Sequence, residues 1–224
     1  MNCIVTAGPT YEPLDKVRRL TNFSTGRLGS ELATFLTGEG HEVTLLIGQQ
    51  ATWHGERKAA AVETFTTTAS LRDKLHALAG SQVDAVLHAA AVSDFTFGKV
   101  WERLGADELK EVKAAKISTR AGNLLVELVP TPKIILELRH WFPKACLIGW
   151  KYELDGGRKD VLARALNQIE ESKTDFCVAN GAAYGSGFGI VDPKGKLEHC
   201  ETMRELFPTL IKLIAAESPG KRSH

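Results

Sequence analysis

The 224-residue sequence predicts an α/β fold, a Rossmann-like parallel sheet flanked by helices with a small β-hairpin and flap extension. Three observations predict it. Short apolar runs bounded by Gly, Pro or Asn alternate, at short spacing, with stretches whose apolar residues recur at helical intervals. The first run leads through a loop rich in Gly, Ser, Thr and Arg into the first helical pattern, as in sheets that bind anions. Apolar residues make up 43% of the chain, enough for a sizeable core.

Taken in order, residues 2–7 are a short apolar run that ends at Gly8, and Gly8-Pro9-Thr10 breaks it. From Gly26 onward, Leu28, Leu32, Phe35 and Leu36 fall at helical spacing, with Ser24 or Thr25 as N-cap. Residues 42–48 make a second strand and 61–66 a short third. Thr68 or Ser70 caps a helix through Leu71, Leu75 and Leu78, and residues 84–92 form a fourth strand. From Phe95 to Asn123 regularity is lost. A loop of that length in a compact domain is functional or mobile, so 95–123 reads as a flap. Residues 124–129 are a strand, after which Thr131 and Pro132 supply the N-cap and first position of a helix. Residues 145–150 and 175–180 are further strands, separated by a helix over 158–172. Residues 185–199 read as a hairpin around Asp192-Pro193-Lys194-Gly195 and 201–216 as a last amphipathic helix. One domain over residues 1–217 is expected, with 218–224 a flexible tail.

The charge balance, 28 Lys and Arg against 27 Asp and Glu, gives no reason to expect nucleic acid or an anionic membrane as partner. Any basic site is local. Cys3, Cys146, Cys177 and Cys200 are widely spaced with no C-x-x-C, which predicts buried thiols rather than disulfides or zinc ligands. No apolar run approaches the roughly 20 residues of a membrane span, and the N-terminus enters a strand without a signal-peptide pattern. The expected localisation is cytoplasmic.

Ligands of parallel sheets gather at the carboxyl ends of the strands. Gly8, the residues after Leu46, and Ala89 to Asp94 are therefore expected to face one crevice. Gly26 and Gly29 form the G-x-x-G half of a dinucleotide fingerprint, but Gly8 stands eighteen residues before Gly26, so the full nicotinamide pattern fails. The position suits a phosphate; it also suits glycines that merely permit a turn and close helix–strand packing. Asp94 supplies either a carboxylate at the crevice rim or a cap for the next turn. His88 is expected to be a packed core residue, and Trp150 reads equally as core.

The segment from Thr6 to Arg18 (TAGPTYEPLDKVR), followed by Asn22 to Gly29 (NFSTGRLG), resembles the opening of the phosphopantothenate–cysteine ligase family, also called phosphopantothenoylcysteine synthetase. Further similar elements follow at the family's intervals over nearly the whole chain: Ala90-Ala91-Val92-Ser93-Asp94, Lys116-Ile117-Ser118, Gly149-Trp150-Lys151-Tyr152-Glu153, and Asp175 to Asn180. The flavoprotein decarboxylase domain often fused ahead of this ligase has no match, which implies the stand-alone form. The resemblance implies an enzyme of coenzyme A biosynthesis that joins 4′-phosphopantothenate to L-cysteine. The carboxylate would attack the α-phosphorus of CTP, or secondarily ATP, with Mg2+; pyrophosphate would leave, and the cysteine amine would attack the acyl-nucleotidylate. The site residues carry over individually. Asn22 would orient the acyl oxygen and Lys116 would neutralise charge on the triphosphate. Gly8, Ser24, Gly26, Gly29, Asp94, Lys116, Trp150 and Asn180 would bind nucleotide, with Trp150 stacking on the base and Asn180 touching base or ribose. Arg18, Asn22, Ala90, Ala91 and Asp94 would bind substrate, Arg18 reaching from a neighbouring subunit of a homodimer. The family identifies no metal ligands in this chain. Two departures stand out: Thr131-Pro132-Lys133 where fused bacterial enzymes have Asn-Pro-Asp, and Gln168 and Ser172 where they have lysines. Two rival readings are a nicotinamide-dependent reductase on the same sheet, and a non-catalytic nucleotide- or flavin-binding module. The missing early G-x-G and the absence of a Tyr-x-x-x-Lys pair argue against the first.

Overall fold

Successive residues of a strand point to opposite faces of its sheet, so a strand covered on both sides is apolar throughout. The computed structural model, which describes residues 1–105, 108–113, 115–118 and 122–217, shows this in β1 (Asn2–Ala7). Cys3, Val5 and Ala7 enter one core, and Ile4 enters another. The chain continues through β2 (Tyr11–Pro13), β3 (Arg19–Thr21), α1 (Arg27–Gly38), β4 (Glu42–Gly48), β5 (Ala61–Phe65), α2 (Thr68–Ala77) and β6 (Ala85–His88). Then come β7 (Phe95–Arg103), β8 (Leu109–Glu111), β9 (Leu124–Pro130), a 3-10 turn at Ile134–Leu136, α3 (Leu138–Trp141) and β10 (Cys146–Tyr152). The last elements are α4 (Arg158–Ser172), β11 (Phe176–Asn180), β12 (Phe188–Val191), β13 (Leu197–Cys200) and α5 (Met203–Glu217).

Eight strands form the central sheet in the order β13-β12-β11-β10-β6-β1-β4-β5. The six from β11 to β5 are parallel; β12 and β13 add an antiparallel edge. This is the doubly wound order, and the strand sequence reverses between β1 and β6. One face carries α1 and α5, whose Leu32, Leu36, Leu206 and Leu210 close the core over β1 and β4. The other carries α2 and α3, with Leu71, Leu75 and Leu138 over Ile4, Leu46 and Val86. Val161, Ala165 and Ile169 of α4 pack on Cys177 and Ala179 of β11. All four cysteines are buried thiols, as their spacing implies; burial pushes Cys3 up to about 11 and Cys177 to about 12.

The structure corrects several local expectations. The stretch 95–123 is not uniformly irregular, because β7 and β8 lie within it and pair with β9 in a separate three-stranded antiparallel sheet. Ala106, Asp107, Ala114 and 119–121 of that stretch, and the expected tail 218–224, lie outside the described residues. Neither Ser24 nor Thr25 caps α1. Gly26 does, in the left-handed region at φ 76°. Thr67, not Thr68 or Ser70, caps α2, its side chain accepting from the Ser70 N–H at 3.1 Å. The fourth strand stops at His88, with only a single bridge from Ala91 to Pro9 beyond it. No helix starts at Thr131, whose hydroxyl donates to the Ser93 carbonyl at 2.5 Å and is therefore not available as a cap.

Candidate active site

At the β1–β6 switch the chain leaves β1 through Gly8 and enters α1 through Gly26, both in the left-handed region, at φ 77° and 76°. A Cβ on Gly26 would lie 3.2 Å from the Gly8 Cα and 2.9 Å from the Ala51 Cβ, so the two turns meet without room for side chains. A Cβ on Gly29 would lie 2.6 Å from the Ala7 Cβ, so this glycine brings the first turn of α1 down onto β1. The α-helical ladder begins with the Ser30 N–H on the Gly26 carbonyl, and the Arg27 N–H meets the Thr25 hydroxyl oxygen at 3.3 Å. The N–H groups of Leu28 and Gly29 have no partner among the described residues. They line, with Gly8, Ser24, Thr25, Ala89 and Met203 of α5, a cavity of about 210 Å3. Unpaired amides at the positive end of a 12-residue helix, beside backbone stripped of Cβ atoms, make an anion cradle.

The excursion between Gly8 and Gly26 is an arm, the β2–β3 hairpin. Its base is tied to the crevice. The Ala91 N–H donates to the Gly8 carbonyl at 2.9 Å, and the Asn22 side-chain N–H2 donates to the Ala91 carbonyl at 2.9 Å. Asn22, Ala91 and Gly8 thus form one cluster at the rim of the cradle. Beneath them runs a polar layer. Thr10 Oγ1 accepts from the Ser93 N–H at 2.8 Å, and buried Glu12 accepts from the Thr68 N–H at the start of α2 at 2.9 Å. Thr6 Oγ1 accepts from the Ala90 N–H at 3.1 Å and is hydrogen-bonded to His88 Nδ1 at 2.9 Å. Burial holds His88 down at about 4; it is a neutral core residue, as expected.

The tip of the arm carries the two expected cations. Asp15, with a side chain only 1% exposed, accepts from the N–H groups of Val17, Arg18 and Ile117 and from Nε and Nη2 of Arg18. Burial works against its charged form, but Arg18 and these amides prevail and hold the carboxyl well below the usual range. Arg18 Nη2 also donates to the Ile117 carbonyl at 2.6 Å, and the Lys16 N–H donates to the Ala115 carbonyl at 3.0 Å. Residues 115–117, and with them exposed Lys116, are docked on the arm. Lys116 is not among the residues that line the cradle. Asp94 is exposed and pairs with Lys133.

Two strands further along the carboxyl edge, Trp150 of β10 packs half-buried against the α1/α5 core. Its indole N–H and the Oδ1 of Asn180 are buried without partners among the described residues. Three strand steps separate Gly8 from Asn180, roughly 14 Å at the usual inter-strand spacing.

Residues 1–218 match the protein family described as the DNA/pantothenate metabolism flavoprotein C-terminal domain. The chain belongs to this family. It is 33% identical over 189 residues to the coenzyme A biosynthesis bifunctional protein CoaBC of Thermococcus kodakarensis, a match covering 82% of this chain and 42% of that protein. The chain spans about half the length of the curated relatives it matches. Among solved structures it resembles the DNA/pantothenate metabolism flavoprotein from Streptococcus pneumoniae, with TM-score 0.83, 27% identity, and coverage of 96% of this chain and 99% of that one. A Cab2 mutant in complex with phosphopantothenate-cysteine shares the fold, with TM-score 0.73 and 18% identity over 99% of this chain and 89% of that one.

In this member of the flavoprotein C-terminal domain family, the fold brings together Gly8, Ser24, Gly26 and Gly29 at the cradle, with Asn22 and Ala91 at its rim, while Ala90 packs toward the α2/α3 core. Arg18 on the arm bonds the Ile117 carbonyl, next in sequence to Lys116, Asp94 faces Lys133, and Trp150 and Asn180 stand apart along the edge. Ala89 lies where the strand order predicted, and sequence reasoning missed Met203, Asp15 and Lys133. Met203 arrives from α5, and nothing local signals it. Asp15 and Lys133 were legible as charged residues inside motifs, but not as the partners of Arg18 and Asp94. Among the described residues no group of three or more His, Cys, Asp or Glu side chains converges as a metal site. No helix among them is long and apolar enough to cross a membrane.

Proposed function

We propose that this chain is the ligase domain that joins 4′-phosphopantothenate to L-cysteine, making phosphopantothenoylcysteine for coenzyme A biosynthesis. The observation that carries the proposal is the cradle: opposed left-handed glycines and free helix amides at the sheet's switch point, with the Asn22–Ala91 pair at the rim. Membership in the pantothenate-metabolism family supports it.

A carboxylate is a poor acyl donor, because its oxygen leaves badly at neutral pH. In the proposed reaction the pantothenate carboxylate displaces pyrophosphate from the α-phosphorus of CTP, or of ATP, and the cysteine amine then displaces the nucleotide from the activated carbonyl. The amides of Leu28 and Gly29, with Ser24, hold phosphate in place. Asn22, fixed by one amide hydrogen on Ala91, turns its oxygen and second hydrogen toward the acyl group. Lys116 supplies a cation where charge develops, delivered by the arm. Mg2+ enters as the nucleotide's own counter-ion, for which one or two carboxylates and the phosphates suffice.

Arg18 binds the substrate phosphate of a second subunit in this reading. Its side chain remains 39% exposed despite its Asp15 partner, and Val17, Leu20 and Phe23 of the same arm are exposed apolar residues, with Phe23 fully so. These are the features of a homodimer contact.

The experiment is direct. Purified protein is given phosphopantothenate, cysteine, magnesium and CTP or ATP, and pyrophosphate and product mass are followed. Pyrophosphate release dependent on phosphopantothenate, with product formed only when cysteine is added, is the expected result. Nucleotide binding without turnover would make the chain a binding module, and NADPH oxidation would make it a reductase. Sedimentation at micromolar concentration tests the dimer.

A further inference from the structure

Arg27 and Met203 line the cradle and also line a larger groove of about 880 Å3, which runs between α1, the loop after β4 and the start of α5. The Trp53 N–H donates to the Thr25 carbonyl at 3.0 Å, so the loop that walls the groove is fastened to the turn that opens α1. Across the groove Phe35 of α1 meets Phe207 of α5, with ring centroids 5.6 Å apart. Most of the charge on its walls is already matched. Arg27 pairs with Glu31, and Glu56 pairs with Lys58. Arg204, the second residue of α5, is the exception. It is exposed, and its side chain has no hydrogen-bond or ion-pair partner among the described residues. Its neighbour Glu205 is engaged elsewhere, by the Glu201 N–H at 3.0 Å and the Thr202 hydroxyl at 3.4 Å. The groove thus carries one unmatched cation, next in sequence to a residue of the cradle wall.

We infer that Arg204 is a further substrate-binding residue: it takes the terminal phosphate of the nucleotide and holds the leaving pyrophosphate in the groove beyond the cradle. This rests on the proposed function, in which phosphate lies on the amides of α1. A terminal phosphate alone has three strong acceptor oxygens, more than the free amides of Leu28 and Gly29 satisfy. Lys116 stands on the arm and does not line the cradle, and Arg27 already holds Glu31. When the substrate carboxylate bonds the α-phosphorus, the bond to the bridging oxygen breaks and its electron pair leaves with pyrophosphate. A cation is most useful where that charge gathers, and a guanidinium matches phosphate oxygens with a planar fork of donors. In this arrangement Lys116 serves the acyl end of the reaction and Arg204 the leaving-group end.

The test compares nucleotides that differ only in their terminal phosphates. Calorimetric titration of the whole chain with CTP and CMP, with ATP and AMP, and with pyrophosphate gives affinities for the wild type, Arg204→Gln and Arg204→Lys. Neither substitution removes a side-chain partner within the chain, so thermal unfolding is expected to stay as it is. Arg204→Gln is expected to bind the triphosphate and pyrophosphate about tenfold more weakly, one charge-assisted hydrogen bond's worth, with monophosphate binding unchanged. Arg204→Lys, which keeps the charge and loses the fork, recovers part of that loss. Equal triphosphate affinity in wild type and Arg204→Gln, a loss shared by the monophosphate, or pyrophosphate binding that Arg204→Gln leaves unmoved overturns the inference alone. A wild type that binds neither triphosphate overturns the ligase reading as well.

Discussion

Acid should unfold this protein partly through one residue, His88. The imidazole is 6% exposed, and its Nδ1 is hydrogen-bonded to the Thr6 hydroxyl. Burial lowers it from 6.5 to about 4 in the folded chain. As pH falls through 6.5 the unfolded chain takes up a proton at this position and the folded chain does not, so folding stability is intact above about 6.5 and drains away toward pH 4. At about 1.36 kcal/mol for each pH unit between the two values, the loss reaches about 3 kcal/mol. That is a large share of the stability of a domain this size. The comparison protein is His88→Asn, whose amide can donate to or accept from Thr6 and has no ionisable ring. Urea unfolding of both proteins at steps from pH 7.5 to 4.5 isolates the effect, because carboxylates such as Asp15 are common to both and cancel. The variant is expected to lose about 2–3 kcal/mol less than the wild type between pH 6.5 and 4.5. Parallel stability curves over that interval would show that His88 does not resist protonation, and the argument from burial would fail.

Three further outcomes follow from the site. Gly29→Ala forces a methyl to within 2.6 Å of the Ala7 Cβ and 3.1 Å of the Thr6 carbonyl, so α1 must lift off β1; a loss of about 1–3 kcal/mol in thermal unfolding, with weakened nucleotide binding, is expected. Lys116→Gln should leave the melting curve unchanged, because residues 115–117 are held on the arm by main-chain bonds, while pyrophosphate release falls sharply; normal turnover would remove Lys116 from the mechanism. Asn22→Asp places a carboxylate against the Ala91 carbonyl, and the first half-reaction, read as pyrophosphate release without cysteine, should survive better than amide formation; equal loss of both would contradict the acyl-orienting role.

The parallel sheet could be read because its inner strands are covered on two sides and therefore appear as apolar runs, as in Ala85 to His88. The small sheet could not. β7 and β9 leave Phe95, Leu128 and Val129 exposed and intersperse Lys99, Glu102 and Glu127, so neither face gives a clean alternation. Their pairing also joins residues more than twenty positions apart, which no local window reports. The glycines of the cradle were legible as punctuation at Gly8 and Gly26, yet the choice between Ser24, Thr25 and Gly26 as cap turns on one backbone angle. At Thr131 a strong helix signal lost to a tertiary partner, the Ser93 carbonyl. The charged contacts at Asp15 and Lys133 belong to the same class, since their partners are set by where separate loops meet.

Asp15 has a consequence for the two cations. By accepting from the Ile117 N–H and from the Arg18 side chain at once, it ties together two loops about a hundred residues apart in sequence. In the proposed reaction the footing of both Arg18 and Lys116 therefore depends on one buried carboxylate.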